Sequence, residues 1–144
     1  MTRPTTPLLA ADIIIELVEQ PGCPIVLIER RYPPHGWAIP GGFVDVGETL
    51  EQAARREAQE ETNLNVTLTT LLGCYSDPRR DARGHTVSVV YIATATGLPR
   101  ALDDAKNLAL FTPGQFPAPL AFDHRLILED YVRFRVSGER PAPR

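Results

Sequence analysis

The chain lacks most of what would commit it to a special class. It has two cysteines in 144 residues, Cys23 and Cys74, and no C-x-x-C pair. Neither a disulfide scaffold nor a zinc site of that spacing is therefore encoded. Both cysteines stand beside apolar runs and read as buried thiols. Lysine is nearly absent, with Lys106 alone against 14 arginines. An excess of positive charge is missing too. The net charge is −3, which argues against a surface built for nucleic acid. A small anionic ligand stays open, because a few placed cations suffice to hold one. Long apolar runs are also missing. The uncharged stretches Gly84–Pro99 and Asn107–Phe122 are broken by polar residues or by three prolines, short of the ~20 apolar residues that span a bilayer. Met1–Leu9 holds Arg3, three threonines and two prolines and does not read as a signal peptide. The expectation is a cytoplasmic protein with neither a membrane nor a nucleic-acid partner.

Hydrophobic residues make up 43% and charged residues 23%, an ordinary globular mix. The length suits one domain with a core of its own, set at residues 7–137 between short polar tails at 1–6 and 138–144. Asp12–Val18 and Pro24–Arg30 are β-branched runs around Pro21-Gly22, which reads as a hairpin. Gly36–Pro40 is too short for a helix. Asn65–Tyr75 and His85–Thr96 read as strands joined by a charged loop. Leu108–Phe111 reads as a short strand and Phe122–Val136 as a closing helix. Helices between strands predict an α/β fold, with helices packed on a mixed sheet.

The informative segment is Thr49–Asn63. Thr49 and Gln52 form a capping box, and Asn63 suits a left-handed C-cap. At about 100° per residue, Leu50, Ala53, Ala54 and Ala58 fall on one side. Glu57 and Glu61 lie about 20° either side of Leu50, in the middle of that apolar stripe, with Glu60 about 80° away. A solvated acidic face is the usual meaning of such a charge run, but it does not fit acids that share the packing face. Carboxylates roughly 5–6 Å apart repel when packed unless a cation joins them. Mg²⁺ takes oxygen ligands of this kind, together with waters and substrate phosphates. Gly41-Gly42 allows a close backbone approach, Glu48 precedes the cap, and Arg56 can hold a neighbouring carboxylate.

Gly42, Glu48 and Arg56-Glu57-Ala58-Gln59-Glu60-Glu61-Thr62-Asn63-Leu64 resemble the Nudix box, G-x5-E-x7-R-E-U-x-E-E-x-G-U, where U is aliphatic. Asn63 replaces the family glycine. Trp37–Asp45, Tyr75–Tyr91 and Leu120–His124 are similar to the ADP-ribose pyrophosphatase-like branch. The resemblance implies a Nudix fold, an α/β/α sandwich around a mixed β-sheet. It implies Mg²⁺- or Mn²⁺-dependent hydrolysis of a nucleoside diphosphate linked to another moiety, with ADP-ribose to AMP and ribose 5-phosphate the favoured case. Alternatives are a nucleoside triphosphate, another sugar nucleotide, or a ligand-sensing module without catalysis. By position, Glu57, Glu60 and Glu61 become metal ligands with the Gly41 carbonyl, while Glu48 and Arg56 become supports. By analogy with that branch, a homodimer is expected.

The general base is open. A relative's late-loop glutamate falls on Asn107 here, which leaves Asp103, Asp104 or a box glutamate. Arg79, Arg80, Arg83 and His85 on the charged loop read either as solvated or as ligands of phosphate oxygens. Tyr32, Trp37 and Phe43 suit a stacked base or the core equally. His35 and His124 read as structural.

Overall fold

The computed structural model describes residues 2–102 and 105–144. Its centre is β1 (Leu8–Leu17), which runs parallel to β6 (Thr86–Ala95) along its whole length. On the far side of β6 lies antiparallel β5 (Thr67–Tyr75). The expected hairpin forms: β2 (Ile25–Arg30) returns against β1, but the two strands pair only at Glu16 and Ile25. They then diverge. Into the gap go β3 (Trp37–Ala38), paired with β2, and β4 (Gly41–Phe43), paired with β1. β7 (Ala105–Phe111) covers the other edge of β2. The segment read from sequence only as too short for a helix is thus a wedge that splits the sheet and opens its centre.

Two helices cover the faces. Alternation along β1 sends Ala11, Ile13, Ile15 and Leu17 to one core, where Ala53, Ala54 and Ala58 of α1 (Leu50–Thr62) pack. Ile14 faces the other core with Ile127, Leu128 and Tyr131 of α2 (His124–Ser137). This is the sandwich of helix, mixed sheet and helix expected from the sequence. The α1 termini also match: Thr49 accepts from the Gln52 amide, Gln52 bonds back, and Asn63 closes the helix at φ 60°. Alanines rather than leucines line this helix, so its backbone lies close to the sheet and short acidic side chains can reach past it.

The cysteines do not follow the reading. Cys74 is exposed and Cys23 half-buried. Cys74 lies in β5, an edge strand whose residues largely alternate between half-buried and exposed. Cys23 sits in the β1–β2 turn at φ 47°. Proximity to apolar runs did not translate into burial because both lie where those runs meet solvent.

Candidate active site

The sheet split opens a cleft of about 270 Å³. Its lining mixes the acids Glu57 and Glu61 of α1, Asp12 of β1 and Asp81 with Arg30, Arg31, Arg80, Arg83, Phe122 and His124. Gly41 and Gly42 let the acids in, although neither has a positive φ. A Cβ on Gly42 would stand 2.5 Å from the Glu57 carboxyl carbon. A Cβ on Gly41 would stand 2.1 Å from Asp12 Oδ1 and 2.4 Å from the Ala11 carbonyl oxygen. These glycines therefore serve close approach and not an unusual backbone angle.

Arg56 organises the acids around it. Its Nε and Nη2 donate to the two oxygens of Glu48 at 2.7 and 2.8 Å, a bidentate fork. Nη1 donates to Glu57 at 2.8 Å and to Glu60 at 3.2 Å, and Nη2 also donates to the Phe43 carbonyl at 3.0 Å. Glu48 in turn accepts from the Asp45 amide at 2.8 Å. The Arg56 fork, helped by that amide, holds the Glu48 carboxyl at about 2. The one arginine thus ties the loop before α1 to the acids on it.

The remaining carboxyls are strained electrostatically. Glu61 accepts from the Gly41 amide at 3.3 Å, yet burial and the neighbouring Glu57 push its carboxyl up to about 9. Burial also raises Glu57, which Arg56 only partly offsets. Asp12 is buried beneath both; burial lifts it to about 7 against the opposing hydrogen bond from Ser88. Glu60 is the outlier, with its side chain 45% exposed against 12% for Glu57. Among the described residues no three His, Cys, Asp or Glu side chains converge as a ready-made cation cluster. The Glu57 and Glu61 carboxylates nonetheless fit a hard divalent cation, being oxygen donors that are largely buried and repel one another.

The structure separates the four loop residues named from sequence. Arg83 lines the cleft, gripped by Asp81 at 2.9 Å. Its guanidinium lies 5.0 Å from the Phe122 ring centre and 5.9 Å from that of Phe43. Arg80 also lines the cleft, but its side chain is 3% exposed and forked onto Asp123 at 2.7 and 3.0 Å. Arg79 points to solvent, bonded to Asp77 two residues back. His85 is exposed, with Nε2 at 3.0 Å from the Ser76 carbonyl oxygen. Neither of these two lines the cleft. The contrast is measurable. Arg80→Ala breaks a buried pair and is expected to cost about 3–5 kcal/mol, whereas Arg79→Ala should stay within about 0.5 kcal/mol. Urea unfolding of both variants checks this.

Asp103 and Asp104, named as candidates for the base, lie outside the described residues. Of the aromatics, Trp37 packs in the core edge-on to Phe111 at 5.2 Å. Tyr32 and Phe43 line the cleft. Phe122 was missed, and it holds φ 55°, rare for a bulky residue and typical of functional sites. Arg83 and Arg30 both lie over its ring, the latter at 4.9 Å. Asp12 was missed as well. Its signal was present as an acid inside the run Asp12-Ile13-Ile14-Ile15, where an inward-facing strand position should be apolar.

Known proteins resemble this chain along most of its length. The family model for the NUDIX domain matches residues 6–131. An ADP-ribose pyrophosphatase of Methanocaldococcus jannaschii is 45% identical over 132 residues, 90% of this chain and 75% of that protein. The NUDIX domain of Shewanella oneidensis NrtR, crystallised with ADP ribose, superposes with a TM-score of 0.76 at 26% identity, covering 92% of this chain and 90% of that one. A bifunctional NMN adenylyltransferase/ADP ribose pyrophosphatase of Francisella tularensis, crystallised with AMP and a Mn ion, gives 0.75 at 25% identity. It covers 92% of this chain, which spans 43% of that protein. With a family model over most of its length and a relative 45% identical over 90% of it, this chain belongs to the NUDIX family and is a pyrophosphohydrolase.

Proposed function

We propose that the cleft hydrolyses the diphosphate of ADP-ribose to AMP and ribose 5-phosphate, with Mg²⁺ or Mn²⁺. The observation that carries this reading is the mixed lining of one small cleft. Acids of α1 and β1 share about 270 Å³ with four arginines, which suits a small anion bridged to carboxylates by a cation. The relatives that act on or bind ADP-ribose supply the substrate.

Glu57 and Glu61 reach the cleft through the glycine gap and would hold the cation, with Glu60 and the Gly41 carbonyl completing the donor set. A bound cation supplies neutralisation of the diphosphate and acidifies the attacking water. The other roles belong to the chain. Arg56 fixes the orientation of Glu57 and Glu60 and ties both to Glu48. Arg83, locked by Asp81 and stacked on Phe122, presents its outer N–H groups to phosphate or ribose oxygens. Arg80 braces Asp123 and so the start of α2. Holding these groups in place before substrate arrives is the main contribution the protein can make to phosphoryl transfer.

The test is a substrate panel of ADP-ribose, NADH, a diadenosine polyphosphate, dNTPs and a GDP-sugar, ranked by kcat/KM with products identified. ADP-ribose is expected to lead, giving AMP and ribose 5-phosphate. A leading triphosphate that yields a monophosphate and pyrophosphate would replace the substrate assignment. Binding of ADP-ribose without turnover would replace catalysis with sensing.

A further inference from the structure

His124 opens α2 and is 3% exposed. The Ile39 backbone amide donates to its Nδ1 at 3.0 Å. A backbone N–H can only donate, so Nδ1 must carry the lone pair and not a proton. Burial, reinforced by the charges of Arg80 and Arg30 and opposed by Asp81, drives the ring down to about 3, so it is neutral in any ordinary buffer. The remaining proton then has one place to be, on Nε2.

That Nε2–H has no acceptor among the described residues. It is not sealed in either, because no fully buried side-chain nitrogen or oxygen among them is left without a partner. The ring lines the cleft, tilted against Phe122 with centres 5.2 Å apart. The cleft is the space this ring lines, so an unpartnered donor there is placed to meet something the cleft receives. Arg80 and Arg30 act on the ring with Asp81 opposing, and Arg83 lines the same cleft, so the balance of charge favours an anionic oxygen as the acceptor.

We infer that His124, fixed as the Nε2–H tautomer by the Ile39 amide, donates a hydrogen bond to a phosphate oxygen of the bound substrate. A neutral donor suits this place. It adds a directional bond beside the arginines without adding charge, and it keeps the same proton as pH changes. The inference rests on the cleft being the diphosphate site. Each product carries one of the two phosphates, so either could supply the oxygen.

Two experiments test it. The first is NMR of the wild-type protein labelled with ¹⁵N at histidine. His124 should show a proton on Nε2 and a bare Nδ1 between pH 6 and 8, and its Nε2 signal should move on titration with AMP or with ribose 5-phosphate. Whichever product moves it identifies the phosphate contacted. A proton on Nδ1, or a signal indifferent to both products, overturns the inference. The second uses His124→Asn, whose new side-chain carbonyl oxygen can still accept from Ile39 while the Nε2 donor is gone. The expected result is a kcat/KM about 10- to 100-fold lower, with a melting temperature well above that of His124→Ala. A purely structural role would leave the His124→Asn variant as active as the wild type, which contradicts the inference. If the wild type itself does not turn over ADP-ribose, the substrate reading fails instead, and the tautomer measurement still stands on its own.

Discussion

Replacing Glu61 with glutamine should stabilise the metal-free protein at pH 8 and at the same time remove its cation-dependent turnover. The two effects have one cause. In the folded chain the Glu61 carboxyl is pushed to about 9 from an ordinary value of 4.5, by burial and by Glu57. Between those values the unfolded chain has released this proton and the folded chain has kept it. Stability is therefore undiminished below about 4.5 and falls as pH rises towards 9. A glutamine side chain cannot ionise, so the Glu61→Gln variant loses that slope and should melt several degrees above the wild type at pH 8, with little difference at pH 4.5. Mg²⁺ should reverse the order by favouring the ionised wild type, since a ligand of the folded state stabilises it. Turnover of the variant should fall by about 10³-fold. Thermal melts at both pH values, with and without Mg²⁺, check the first half, and saturation kinetics check the second. Equal melting curves or a retained kcat would remove Glu61 from the site.

The second large effect separates two adjacent glycines. In Gly41→Ala the new methyl meets backbone as well as side chain, the Ala11 carbonyl oxygen at 2.4 Å and Asp12 Cα at 2.7 Å. Backbone in a paired strand cannot step aside. β4 must leave β1, and the wedge that splits the sheet is lost, at a cost of about 3 kcal/mol or more. In Gly42→Ala the three nearest atoms all belong to the Glu57 carboxylate, at 2.5–2.7 Å. That group sits at the end of a flexible side chain and can swing away. The fold should survive with less than about 1 kcal/mol lost, while kcat falls by about 10²-fold because Glu57 no longer points into the cleft. Urea denaturation beside steady-state kinetics distinguishes the pair. An active Gly42→Ala variant would mean that the orientation of Glu57 does not matter to the reaction.

The residues of the site were legible in the sequence to the extent that their chemistry was local. On α1 the positions of Glu57 and Glu61 follow from helical geometry, and their conflict with Leu50 and the alanines is visible without any fold. The cap and the Arg56 contacts are equally local. What could not be read is what distant strands bring together. Asp12 sits 45 residues before Glu57 in the chain and meets it only because β1 and β2 part after one pair. Phe122 looked like the start of a helix, but it lies one residue before the Asp123 cap, in a left-handed conformation that no propensity favours. His124 read as structural because nothing nearby in sequence suggested a ligand. Its role depends on a backbone amide 85 residues away. Arg79 and Arg80 are neighbours of one type, and the fold sends one to solvent and the other into a buried fork. Pairing patterns decide such outcomes, and composition does not contain them.

The proposed function requires the acids on the packing face of α1 to hold a divalent cation. Titrating Mn²⁺ into the protein and following the free-ion EPR signal at pH 8, with AMP present, tests this most directly. The wild type should deplete the free signal, and Glu61→Gln, still folded, should not. Equal uptake by the two proteins, or uptake by neither, would contradict it.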